Sequence, residues 1–264
     1  LRAPRLLGID HTPPGPGTWL WTEDVAPALA VRWTPDRALA AARSAGRLHA
    51  LFVAEREDLE RQGWLERDGY AAYAHHVPAA HRHLEQLPTH PHWTHLFADE
   101  ERAALHRALD LTPRAITELR RLPPTLIHGD FHVDNLGCDP DGTVVAIDWA
   151  HVGIAPLGSD VAVLTSLYTA LGGTGASHRE LESAAIEVYF DQLAAPGARP
   201  DTQLHAVVRR ACGLWNLTWG LHLRLGPGLD WLLRRPDPAS ADATRSAADV
   251  RHGCLRVVTF LAGV

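Results

Sequence analysis

Two runs constrain this chain more than any others. Leu126-Ile127-His128-Gly129-Asp130-Phe131-His132-Val133-Asp134-Asn135 is followed by Thr143-Val144-Val145-Ala146-Ile147-Asp148-Trp149. In each, an apolar segment hands over to polar residues, the pattern of a buried strand that ends in a functional loop. Asp139-Pro140-Asp141-Gly142 between them is a turn sequence. Residues from Leu136 to Ile147 are therefore expected to fold back as a hairpin and return Asp148 beside Asn135. Asp130, Asn135 and Asp148 then converge, three oxygen-bearing side chains above one scaffold.

Asp130 precedes Asn135 by five positions, the interval between the base and the metal-binding Asn of the kinase catalytic loop. Phosphoryl transfer needs such a set: one carboxylate orients and deprotonates the attacking hydroxyl, while an Asn and a second carboxylate hold the magnesium that neutralises the nucleotide phosphates. On this reading Asp130 is the base and Asn135 and Asp148 are metal ligands.

His128-Gly129-Asp130 with Asn135, and Ile147-Asp148-Trp149, resemble the aminoglycoside phosphotransferase and choline kinase-like family. There the kinase Arg is typically replaced, giving H-G-D-x-x-x-x-N and then apolar-apolar-D-[WF]. The resemblance implies an α+β, protein-kinase-like fold, with a mostly helical C-terminal lobe, a small catalytic hairpin and a remnant of the N-lobe sheet. It implies an enzyme that uses ATP and Mg2+ to phosphorylate a hydroxyl of a small molecule, be it aminoglycoside-like, an amino alcohol or a sugar. It also implies structural support from His128 and Asp160, a nucleotide contact at Ile147, and C-terminal helices flanking the acceptor, where Trp215 or Trp219 could stack on it. One departure is Ala150, where many relatives carry an acidic residue. This keeps open a binding protein without turnover. A His/Asp metallohydrolase is the other alternative, because strand alternation would put His128, Asp130 and His132 on one side.

Upstream, residues 1–25 read as two short strands, Arg5-Leu6-Leu7-Gly8-Ile9 and Trp19-Leu20-Trp21-Thr22, around a Pro13–Gly17 loop. Glu23-Asp24-Val25 resembles the family's interlobe linker, whose backbone binds the adenine edge, here through Glu23 C=O and Val25 N–H. The expected division is 1–25 as linker and remnant of the N-terminal lobe, and 26–264 as the helical lobe. The chain contains neither Lys nor Met, so the phosphate-pairing lysine of kinases is not in it. Together with the lack of a glycine-rich loop, this leads to the expectation of a fragment that is nearly inactive alone.

Apolar residues make up 46% and charged ones 21%, as in ordinary globular proteins, and the net charge of −6 supplies no basic stripe for nucleic acid. Cys138, Cys212 and Cys254 are far apart and odd in number, which suits free thiols in a reducing, cytoplasmic setting. No segment is long enough to span a membrane.

Thr34-Pro35 should cap and start a helix carrying His49 as a structural histidine. Further helices are expected near Glu55–Arg67, Tyr70–Leu87, Asp99–Arg121 with a break at Thr112-Pro113, Val161–Ala170, Thr202–Leu225 and Pro238–Leu261, and Ser177 with Glu180 suggests a capping box. The histidines between 75 and 95 read as a polar surface segment rather than a zinc or copper site.

Overall fold

A computed structural model describes residues 1–10, 19–53, 55–168, 170–175, 178–193, 202–235 and 240–262. The Pro13–Gly17 loop and the Ser177 cap lie outside them. The chain opens with β1 (Leu6–Asp10) and β2 (Trp19–Thr22), an antiparallel pair whose Leu6, Leu7, Ile9, Leu20 and Trp21 are exposed. A short α1 (Ala26–Leu29) follows the linker, and α2 (Pro35–Phe52) starts as its residues dictate. The Thr34 hydroxyl accepts from Arg37 N–H, Pro35 occupies the first turn and Asp36 faces the positive helix end. Gly46 allows α2 to lie against α8 (His178–Leu193), because a Cβ there would come within 2.6 Å of the Tyr189 carbonyl.

The next segment departs from its expected helix. α3 (Arg56–Arg61) stops before Gly63, and Glu66–Arg67 form β3, which pairs in parallel with β7 (Gly153–Pro156). β7 also pairs antiparallel with β4 (Pro124–Ile127), so the three-stranded sheet runs β3-β7-β4. Residues Gly69–His76 are a 3₁₀ segment, and the α-helix proper, α4 (Val77–Gln86), begins where Pro78 can occupy the first turn. α5 (Asp99–Asp110) and α6 (Thr112–Leu119) break at Pro113 as expected. A hairpin is formed by β5 (Leu136–Cys138) and β6 (Val144–Ala146), and Arg2 adds a parallel bridge to Val145.

Then come α7 (Ser159–Leu167), α8, and a helical run longer than periodicity suggested. α9 (Thr202–Trp215) continues through a π-helical turn at Asn216–Gly220, α10 (Leu221–Leu223), a second π turn at Arg224–Gly228 and α11 (Leu229–Leu233). α12 (Ala241–Ala262) closes the described chain; the start expected at Pro238 lies outside it. The π turns have identifiable causes in Gly220 and in Pro227, which has no N–H to give the ladder.

The histidine segment does more than face water. His83 Nδ1 and His90 Nε2 meet the carbonyls of Leu225 (2.9 Å) and Leu233 (3.2 Å), and Trp93 Nε1 donates to Leu232 O (3.1 Å). They tie this segment to the carbonyls of the second π turn and of the end of α11. Among the described residues no group of three His, Cys, Asp or Glu could hold a metal ion, and no helix is long and apolar enough to cross a membrane. All three cysteines are buried and unbridged.

Candidate functional site

β4 ends at Ile127, and the chain leaves the sheet through Gly129 at φ +85°. A side chain there would need the left-handed region and would collide with the His151 carbonyl. The loop is held from below by Asp160 at the start of α7, fully buried, whose Oδ2 accepts from His128 N–H (2.9 Å) and Oδ1 from Gly129 N–H (3.1 Å). His49 Nε2 meets the same carboxylate at 3.1 Å, and His49 Nδ1 meets Tyr189 Oη at 2.7 Å. Burial alone would raise the Asp160 pKa; the His49 bond, the nearby imidazoles and the His128 N–H outweigh it and hold the carboxyl below its ordinary value.

His128 is spent on the backbone at both nitrogens. Nδ1 accepts from Asp130 N–H (3.3 Å), so Nε2 carries the proton and donates to Ile147 O (2.8 Å). Its ring also packs on Trp149, 4.5 Å between centroids. The residue after Ile127 is no longer strand, so the alternation that would align His128, Asp130 and His132 for a metallohydrolase does not arise, and His128 has no nitrogen left for a metal.

Asp130 is half-buried and receives two donors at Oδ2, the Asn135 side-chain amide (2.8 Å) and His132 Nε2 (3.3 Å). His132 Nδ1 accepts from Asp134 N–H, which puts its proton on Nε2. The His132 bond is the largest cause that holds Asp130 below the usual carboxylate range, helped by Asn135 and by the charge of His151. Among the described residues Oδ1 of Asp130 has no hydrogen-bond partner. Asn135 uses its nitrogen on Asp130 Oδ2 and on Asp130 O (3.1 Å), which leaves its amide oxygen.

The hairpin does what its turn residues require. Leu136 pairs with Ala146, and Ile147 N–H donates to Asn135 O at 2.9 Å, so Asp148 follows directly on the residue bonded to Asn135. Asp148 is exposed and left-handed, φ +57° and ψ +64°, an uncommon state for a residue with a side chain and one found at functional turns. An amide oxygen and a carboxylate at adjoining positions are hard donors of the kind Mg2+ takes.

Two cavities flank these residues. One, about 130 Å³, is lined by Ile127 from β4, by Gly129 and Asp130 from the loop, by Ile154, by Tyr73 from the 3₁₀ segment, and by Trp215 and Trp219 from α9 and the first π turn. Glu66 and His151, 3.2 Å apart, stand at its edge. The sequence brought forward Trp215 and Trp219, raised His132 only as a ligand of the metallohydrolase alternative, and missed Glu66, Tyr73 and His151, which carried no local signal. The other cavity, about 480 Å³, is lined by Glu23, Asp24 and Val25 together with Arg37, Cys138 and Asp139. It contains none of Asp130, Asn135 or Asp148. Ile147 does not line it either, but packs with Val25, Ala28 and Val145 in one small apolar cluster. Arg2 joins the linker to the hairpin turn, donating to Glu23 (2.9 Å) and Asp139 (2.8 Å). The Arg5 N–H and then Arg2 hold Glu23 below the ordinary range. Neither Glu23 C=O nor Val25 N–H takes part in a backbone hydrogen bond with another described residue.

The sheet, hairpin and helical lobe form a protein-kinase-like fold. Residues 2–197 match the phosphotransferase enzyme family (APH), and the chain belongs to it. An aminoglycoside phosphotransferase from Alicyclobacillus acidocaldarius is 17% identical over 100% of this chain and 77% of its own, with a TM-score of 0.63. An amicoumacin kinase solved with AMP-PNP, Ca2+ and Ami is 15% identical over 93% of this chain and 68% of its own, with a TM-score of 0.51. These likenesses establish the protein-kinase-like α+β fold. No curated protein matches the chain.

Proposed function

We propose that this protein transfers the γ-phosphate of ATP to a hydroxyl of a small molecule. The observation that carries the reading is the bond from the Asn135 amide to Asp130 Oδ2 at 2.8 Å, with Asp148 brought alongside by the Ile147–Asn135 backbone bond. Asp130 Oδ1 receives the acceptor hydroxyl. A carboxylate kept ionised by His132 orients that hydroxyl and takes its proton as the new P–O bond forms. Asn135 Oδ1 and Asp148 would hold Mg2+, which neutralises phosphate charge. Glu23 C=O and Val25 N–H receive the adenine edge, and Asp24 sets the linker turn through its bond to Ala26 N–H at 2.9 Å. Trp215 and Trp219 contact the acceptor. The division at residue 25 belongs to the same reading, since β1 and β2 pair with each other and not with the three-stranded sheet.

The test is 31P NMR of the full-length protein with MgATP and a broad panel of alcohols. The expected result is a new phosphomonoester signal that grows as ATP becomes ADP. Tight MgATP binding without transfer to any member of the panel would overturn the enzymatic reading and leave a nucleotide-binding protein.

A further inference from the structure

Tyr73, on the wall of the cavity beside Asp130, belongs to a stack of rings that ends in histidines. Its ring meets Trp219 edge-on at 6.1 Å and His76 at 5.7 Å, and His75 lies 3.9 Å from His76, centroid to centroid. His76 closes the 3₁₀ segment Gly69–His76, is half-buried, and rests on the second π turn so closely that a Cβ on Gly226 would fall 2.8 Å from the His76 Cβ. The segment also packs on α10, whose His222 is fully buried with no hydrogen-bond partner at Nδ1. His83 of α4 is the fourth imidazole, and its charge bears on His76.

No carboxylate compensates this group from within. Burial, and then the neighbouring imidazoles, hold both His76 and His222 below the ordinary value, His222 at about 4. The charged side chains around them are engaged elsewhere or exposed. Asp230 of α11 stands 3.6 Å from His83, Arg224 of the second π turn bonds Ser166 and Asp249, and Glu118 of α6 bonds Arg210. On α4, His81 is turned to His106, while Arg82 and Glu85 are exposed. At the start of the segment Asp68 is taken by Arg120 and Tyr70. A proton on these rings therefore adds a positive charge to a crowded and partly dry contact.

We propose that the Gly69–His76 segment is an acid-released wall: as His76 and the imidazoles around it take up protons, the segment lifts from the second π turn and carries Tyr73 out of the cavity beside Asp130. The sign follows from linkage. Rings kept neutral in the closed wall regain an ordinary imidazole on release, so the closed wall is fully stable above about pH 6.5 and weakens as pH falls below it. Each ring released favours the open wall about tenfold per pH unit in that range. The opening does not depend on the phosphotransferase reading; its consequence, weaker acceptor binding in acid, does.

Hydrogen exchange followed by mass spectrometry on the full-length protein, at pH 7.0 and 5.5 and corrected for intrinsic exchange, provides the test. Peptides covering residues 69–76 should lose protection at least tenfold at pH 5.5, while peptides from α2 and α8 keep theirs. His76→Gln has a planar polar side chain that does not titrate, and should keep the segment protected at both pH values. His76→Asn repeats the measurement if Gln loosens the segment already at pH 7.0. Unchanged protection of residues 69–76 in acid, a loss shared equally by α2 and α8, or a loss that both variants retain in full would overturn the proposal. The predicted exchange pattern in a protein that phosphorylates no alcohol would refute the phosphotransferase reading and leave the acid-released wall standing.

Discussion

His49 donates from Nε2 to the buried carboxylate of Asp160 across 3.1 Å, joining α2 to the first turn of α7 beneath the His128–Asn135 loop. The tautomer follows from the neighbours. Gly158 N–H donates to Tyr189 Oη, so the Tyr189 proton goes to His49 Nδ1 and the imidazole proton faces Asp160. Every member of this chain is buried, and Asp160 passes it on to His128 and Gly129.

Asp160→Ala should therefore be severe. It strands an imidazole and two backbone N–H groups in the core, and breaking such a set costs about 3–5 kcal/mol. Urea denaturation should show a lower midpoint with an unchanged slope. The pH dependence has a defined sign. The Asp160 carboxyl is lower in the folded state than its ordinary 3.8, so its contribution is complete above that value and is lost as pH falls through the folded one.

A separate acid sensitivity should come from His222. Burial lowers its pKa from 6.5 to about 4, and Nε2 bonds Thr112 Oγ1 at 2.8 Å. The folded state keeps it neutral while the unfolded chain takes up a proton below 6.5. Stability should fall as pH drops from 6.5 towards 4, by up to about 3 kcal/mol. His222→Gln keeps a hydrogen-bonding group without titrating, and should flatten the melting temperature across that window.

Gly129→Ala tests the exit from β4. The positive φ and the clash with the His151 carbonyl act together, and a loss of at least about 1–2 kcal/mol is expected from the left-handed backbone alone. Thermal melts should show the loss, with turnover falling further than stability explains because the loop must move.

His132→Ala should expose how Asp130 is tuned. Without its largest stabilising bond the carboxyl rises towards its ordinary value. The acid limb of the kcat profile should then move to higher pH, with KM for the acceptor little changed.

The parts of this molecule governed by local chemistry could be read in advance. Asp139-Pro140-Asp141-Gly142 can only turn, so the hairpin and the return of Ile147 to Asn135 followed; Thr34-Pro35 can hardly do other than start α2. The cavity wall beside Asp130 was different. Glu66 and Arg67 sit in a charged run of helical character, and they become strand only because Gly153 and Ile154 offer a parallel edge far along the chain. That pairing brings Glu66 to His151, and the following 3₁₀ segment brings Tyr73 to Trp219. The helical spacing of Trp215 and Trp219 was visible, but nothing local announced the π turn at Asn216–Gly220 or the cavity the two tryptophans line with Asp130.

Asp130→Asn is the most direct measurement. In the full-length protein with MgATP and a competent acceptor, kcat should fall about 10²–10⁴-fold, while the Kd for MgATP stays as in the wild type. Asp148→Ala, measured alongside, should weaken MgATP itself. An Asp130→Asn protein that turns over at the wild-type rate would contradict the assignment of Asp130 as the base and, with it, the phosphoryl-transfer site built on His128–Asp148.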